Sequence, residues 1–160
     1  MYVKLRKIQP QIQLFGQTFV VKDEFHVSLV SVKRLIPQIA ENHRITPEQA
    51  EGKVLLTLIG LLDRVDLIFD GFIDDFRLAQ EDDKKTIIRT CRVKGIQTFQ
   101  KELQKELGVE IPAQPTHVTL YRLAHDKKGI GIWSKEDLAR MTTPIAGKEL
   151  EIVKKATKLT

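Results

Sequence analysis

The sequence predicts an α+β fold built on antiparallel strands, and three observations carry that reading. Strand-like runs come in adjacent pairs, at 11–15 with 18–21 and at 66–80 with 84–93. Two longer stretches, 46–62 and 95–107, carry helical periodicity with start or stop signals. A short β-branched segment, then a helix, then strands, forms a weak internal repeat. Strands in runs rather than in strict βαβ alternation argue for antiparallel sheets.

Each element has its own warrant. Residues 2–8 read as a strand of mixed polarity that Pro10 interrupts. The runs 11–15 and 18–21 form a hairpin about Gly16-Gln17. Lys22-Asp23-Glu24 is a polar break before a strand at 25–31. Val32 to His43 reads as helix, bent or divided by Pro37. Thr46-Pro47-Glu48-Gln49 is a helix start: Thr46 caps, Pro47 suits the first turn and Gln49 closes a capping box. That helix runs to about Leu62, with Val54, Leu55, Leu58, Ile59 and Leu62 as its expected buried stripe. The runs 66–80 and 84–93 join at Glu81-Asp82-Asp83, and Gly71 marks a bulge.

A helix over 95–107 puts Ile96, Phe99, Leu103 and Leu107 on one face, and Gly108 stops it. Residues 111–115 lead in extended form to a strand at 116–122. His125 to Gly131 is a polar loop, and Ser134 caps a short helix to Met141 with Asp137 three residues on. Glu149 to Ala156 alternates as a last strand, with Leu150 and Ile152 on its apolar face, and the tail 158–160 frays.

At 160 residues the chain is one domain or two closely packed lobes, long enough to bury a sizeable core. A net charge of +5 favours an anionic partner such as nucleic acid. The single cysteine, Cys91, excludes an internal disulfide, suits a reducing cytoplasm and reads as a small core residue. No run reaches the ~18 apolar residues of a membrane span, and no signal peptide is expected.

The chemistry concentrates in two tetrapeptides. His117-Val118-Thr119-Leu120 and His26-Val27-Ser28-Leu29 repeat one pattern 91 residues apart, using two of the four histidines. On a strand, His117 and Thr119 share one face while Val118 and Leu120 share the other. An imidazole and a hydroxyl then stand roughly 7 Å apart, at about 3.4 Å per residue, a spacing that can bracket a phosphate. The matched Val and Leu separate the pair from chance occurrences of His-x-Ser/Thr.

The two motifs resemble those of the 2H phosphoesterase superfamily, which includes 2′-5′ RNA ligase-like proteins and cyclic phosphodiesterases. The resemblance implies residues 1–160 as one bilobal domain: two pseudo-symmetric lobes of antiparallel sheet with outer helices, facing a central cleft. It implies His26 and His117 as general acid and base, in unassigned order, with Ser28 and Thr119 holding phosphoryl oxygens. The expected activity is metal-independent cleavage of 2′,3′-cyclic phosphate or 2′-5′ linkages in RNA or nucleotides, reversible as ligation, by a monomer without a cofactor. An idle RNA-binding module on the same scaffold and a phosphodiesterase for a small cyclic phosphate are the alternatives. The ligase-like branch carries an aromatic and then Leu-Gly after its first motif, where this chain reads Val30-Ser31-Val32-Lys33. That departure favours the superfamily over the branch.

Elementary chemistry fits that implication. Imidazole titrates near neutrality, so one ring can accept a proton while another donates one. Hydroxyls can donate to oxygens where charge develops. The sequence has no metal-ligand spacing and no Gly-rich loop ahead of Lys-Ser/Thr.

Arg122 extends the second motif to His-x-Thr-Leu-x-Arg, where the resemblance implies substrate binding. Strict alternation would point it away from His117, so a bulge or strand end is required. Tyr121 shares the His117 face in a regular strand and can stack on a base or pack. Trp133 can do either, with a core anchor preferred. Lys33 and Arg34 read as a solvated helix face, and His43 and His125 as incidental.

Overall fold

The computed structural model describes residues 1–5, 7–126 and 129–157. The expected strand at 2–8 and the 125–131 loop therefore fall partly outside the described residues, and the tail 158–160 wholly so. The described part of the first segment is not a strand; Tyr2 alone bridges to His26.

Six strands form one antiparallel sheet: β1 (Gln11–Leu14), β2 (Gln17–Val21), β3 (Ile68–Glu81), β4 (Lys84–Lys94), β5 (His117–Leu123) and β6 (Thr142–Pro144). Their order is β1-β2-β5-β4-β3-β6. Among the described residues there are five helices: α1 (Val32–His43), α2 (Pro47–Leu62), α3 (Ile96–Leu107), α4 (Lys135–Met141) and α5 (Gly147–Ala156). The fold is α+β with an open sheet. The strands lie in one sheet, which by itself does not show the expected two-lobe symmetry.

Local chemistry explains most elements. The β1–β2 turn is Phe15-Gly16, one residue earlier than expected, with φ of 52° and 70°. Two positive φ values give a turn whose twist matches the strands it joins. Gly71 (φ 92°) lies in a register shift: three steps from Phe69 to Phe72 face two from Val93 to Cys91. The capping box of α2 forms, with Gln49 N donating to Thr46 Oγ1 at 3.3 Å and Thr46 N to Gln49 Oε1 at 3.0 Å.

Two expectations fail at the last third and at α2. Residues 149–156 are helix, not strand. Leu150 and Ile152 do meet the sheet core, but Val153 and Ala156 are the buried residues, at helical spacing from Leu150. The stripe of α2 is also rotated: Ala50, Val54 and Leu61 are buried, whereas Leu55, Ile59 and Leu62 are exposed.

The core has three parts. One face of the sheet packs Phe19, Ile87, Val118 and Leu120 with Val153 and Ala156 of α5. On the other face Ala79 and Ile88 meet Ile130 and Ile132. Helices α1, α2 and α3 enclose a separate cluster around Leu35, Ile39, Val54, Phe99 and Leu103. Leu29, Leu67 and Ile96 touch both this cluster and the sheet core. The first motif therefore ends where the helical layer meets the sheet.

Candidate functional site

The second motif lies in the middle of the sheet, between β4 and β2. His117 pairs with Thr90 and Thr119 with Ile88. Between Thr119 and Tyr121, β5 takes two steps while β4 takes one, from Ile88 to Ile87, so Leu120 is an extra residue. Such a bulge reverses the alternation beyond it. Val118 and Leu120 point to the core before it, Tyr121 and Leu123 after it.

This bulge changes two expected roles. Tyr121 is fully buried, and its hydroxyl donates to the Gln9 carbonyl at 3.1 Å. Burial pushes its phenol up to about 12. It is a core residue and not part of the cleft. Arg122 instead returns to the face of His117 and Thr119. It is a neighbour of the cleft and not one of its lining residues, and its guanidinium pairs with Asp23 at 3.4 Å.

The first motif is not a full strand. Among the described residues, 25–31 make two isolated bridges, His26 with Tyr2 and Val27 with Val118. Around them Val3 N donates to Phe25 O at 2.9 Å and Val27 N to Met1 O at 2.8 Å. After β2 the chain leaves β5 at Lys22, whose N still donates to Leu120 O, and rejoins it at Val27. The polar Lys22-Asp23-Glu24 break is the loop thrown out between those points. The chain thus runs along β5 in two pieces, and the second piece carries His26 and Ser28.

Both motifs open on one cleft of about 250 Å³. His26, Ser28, His117, Thr119 and residues 129–133 line it. Lys22, Glu24 and Gln114 also line it. The 129–133 segment is pinned by Ile130 and Ile132, buried against the sheet. A Cβ on Gly131 would overlap the Trp133 indole, so glycine lets the indole fold back over this segment.

The two imidazoles differ in setting. His117 is only 7% exposed, and its Nδ1 lies 3.0 Å from the Pro115 carbonyl. A carbonyl only accepts, so Nδ1 carries the proton and the neutral ring presents its Nε2 lone pair. Burial holds the His117 pKa below the ordinary imidazole value; the Pro115 contact opposes this and the His26 charge adds to it. His26 is exposed, and its ring meets Tyr2 edge-on at 6.4 Å. Among the described residues it makes no hydrogen bond within the protein.

Sequence reasoning passed over Lys22, Gln114 and the cleft side of Trp133. Lys22 stood four residues before a motif histidine, and that proximity was the available signal. Gln114 sat in an extended Pro-rich lead and gave none. Cys91 is buried, its thiol pushed up to about 11 by burial. Among the described residues no group of three or more His, Cys, Asp or Glu is placed to hold a metal ion, and no helix is long and apolar enough to cross a membrane. No protein-family model matches the chain, no curated protein matches it, and no solved structure matches it.

Proposed function

We propose that this chain is a phosphodiesterase of the 2H type, acting without a metal on 2′,3′-cyclic phosphate or 2′-5′ linkages of RNA or nucleotides. One observation supports it most: two His-x-Ser/Thr motifs, 91 residues apart in sequence, line one cleft. A water or ribose hydroxyl attacking phosphorus must lose a proton, and the departing ribose oxygen must gain one. His117, neutral with Nε2 bare, is suited to accept the first proton. His26, where water can solvate either protonation state, is suited to deliver the second. Ser28 and Thr119, which line the cleft, would donate to the non-bridging oxygens, and Lys22 would offset charge on them. Arg122 supports the edge of the site by holding Asp23. The +5 charge fits a polyanionic substrate, and one buried cysteine fits a reducing cytoplasm.

The test is turnover of an oligonucleotide ending in a 2′,3′-cyclic phosphate, with EDTA present. Conversion to a single phosphomonoester isomer is expected. Activity that disappears in EDTA and returns with a divalent ion would exclude the metal-independent mechanism. Salt-dependent binding without turnover would indicate an RNA-binding module instead.

A further inference from the structure

Beside the cleft lies a second, smaller and largely apolar recess. Leu29, Leu35, Leu103 and Ile111 contribute to its apolar lining. Gln114 and Trp133 line both spaces, so the two are neighbours across shared walls. The chain itself makes the link: Ser28 faces the cleft, and the next three residues line the recess.

We infer that this recess receives the nucleobase attached to the ribose whose phosphate lies between the histidines. The inference rests on the phosphodiesterase reading and adds the requirement for a base. A base has apolar faces and a polar edge. The recess matches this with an apolar lining and the amides of Gln38, Gln100 and Gln114. Gln114 spends one N–H on the Ser28 carbonyl at 3.0 Å, and an amide so held still offers an acceptor and a second donor. The Arg34 guanidinium lies over the Trp133 ring, 5.6 Å from its centroid, so a planar cation and an aromatic ring both border the recess. A purely aliphatic occupant would cover these amides without pairing them, which costs free energy.

Trp133 is the only tryptophan and borders both spaces, so its fluorescence reports on the recess and the adjoining cleft, and the base-free probes separate the two. The probes are a nucleoside 2′,3′-cyclic phosphate, ribose 2′,3′-cyclic phosphate without a base, and inorganic phosphate. The nucleoside compound should quench Trp133, and the two base-free probes should not. Its kcat/KM should exceed that of the base-free ribose compound about tenfold or more, the scale of one base–aromatic stack. Gln100→Leu, close to isosteric on the half-buried side of α3, should narrow that ratio severalfold, and exposed Gln38→Ala should do so less. Turnover of both substrates with equal kcat/KM, or equal quenching by all three probes, would overturn the base site and leave the phosphodiesterase standing. Quenching by the nucleoside compound without turnover would keep the base site and remove the phosphodiesterase. Neither quenching nor turnover would remove both.

Discussion

His117 and His26 begin the same tetrapeptide pattern, yet the chain supports them in opposite ways. His117 starts a central strand, is almost fully buried, and has one ring nitrogen tied to Pro115. His26 lies on a segment with two isolated bridges, beside an exposed Tyr2 ring. One imidazole is fixed in tautomer and short of solvent; the other is wet and lightly held. A base that must be neutral gains from the first setting, and an acid that must be recharged with a proton gains from the second. Identical sequence motifs can thus hold different chemical roles, because burial and backbone partners lie outside the motif.

The comparison would break most visibly in the rates. His26→Ala and His117→Ala should each lower kcat/KM by roughly 10²–10⁴-fold, the usual worth of a proton transfer. The double mutant should lose less than the product, since acid and base serve one reaction. Steady-state rates on the cyclic-phosphate oligonucleotide measure this.

Stability should separate the two histidines next. His117→Ala leaves the part-buried Pro115 carbonyl without its donor and should cost about 1–3 kcal/mol in urea unfolding. His26→Ala, on the surface, should stay within about 0.5 kcal/mol of wild type. The pH dependence should differ as well. The His117 pKa is lowered in the folded state, so the unfolded chain takes up the proton more readily. Its contribution is present above the unfolded value of about 6.5 and is lost as pH falls toward the folded one. Unfolding curves from pH 8 to pH 5 should show this loss in wild type and less of it in His117→Ala.

Tyr121 gives a smaller effect that sharpens the reading of β5. Tyr121→Phe removes only the hydrogen bond to Gln9 and should cost about 1 kcal/mol. Its kcat/KM should match wild type; a large fall would put the ring back in the cleft. The smallest signal is at Cys91, buried and held up near 11. Alkylation of the native thiol at pH 8 should be negligible beside that of the denatured chain.

Several features were legible because they depend on local chemistry. The Thr46–Gln49 capping box, the Gly71 bulge, the Gly108 stop and the stripe of α3 all follow from residues near in sequence. What escaped depends on distant partners. The first motif has strand composition but is held by Met1–Val3 and one contact with β5, so it never becomes a full strand. Residues 149–156 fit a period of two through Leu150 and Ile152, and a period near 3.6 through Leu150 and Val153. Only packing on the sheet decides between them. The apolar residues of α2 run almost around the helix, so periodicity could not choose the side that α1 and α3 cover. The bulge at Leu120 is the one that a cleft-side Arg122 required, and it also decides that Tyr121 is core, which the strand pattern alone did not indicate.

The most direct measurement is kcat/KM against pH for wild type, His117→Ala and His26→Ala on the cyclic-phosphate oligonucleotide. A buried base and an exposed acid predict a bell for wild type. His117→Ala should lose the acidic limb, where the base must shed its proton to work. His26→Ala should lose the alkaline limb, where the acid must keep its own. Exchanged limbs would reverse the two assignments, and near wild-type kcat/KM in both folded variants would contradict the two-histidine mechanism itself.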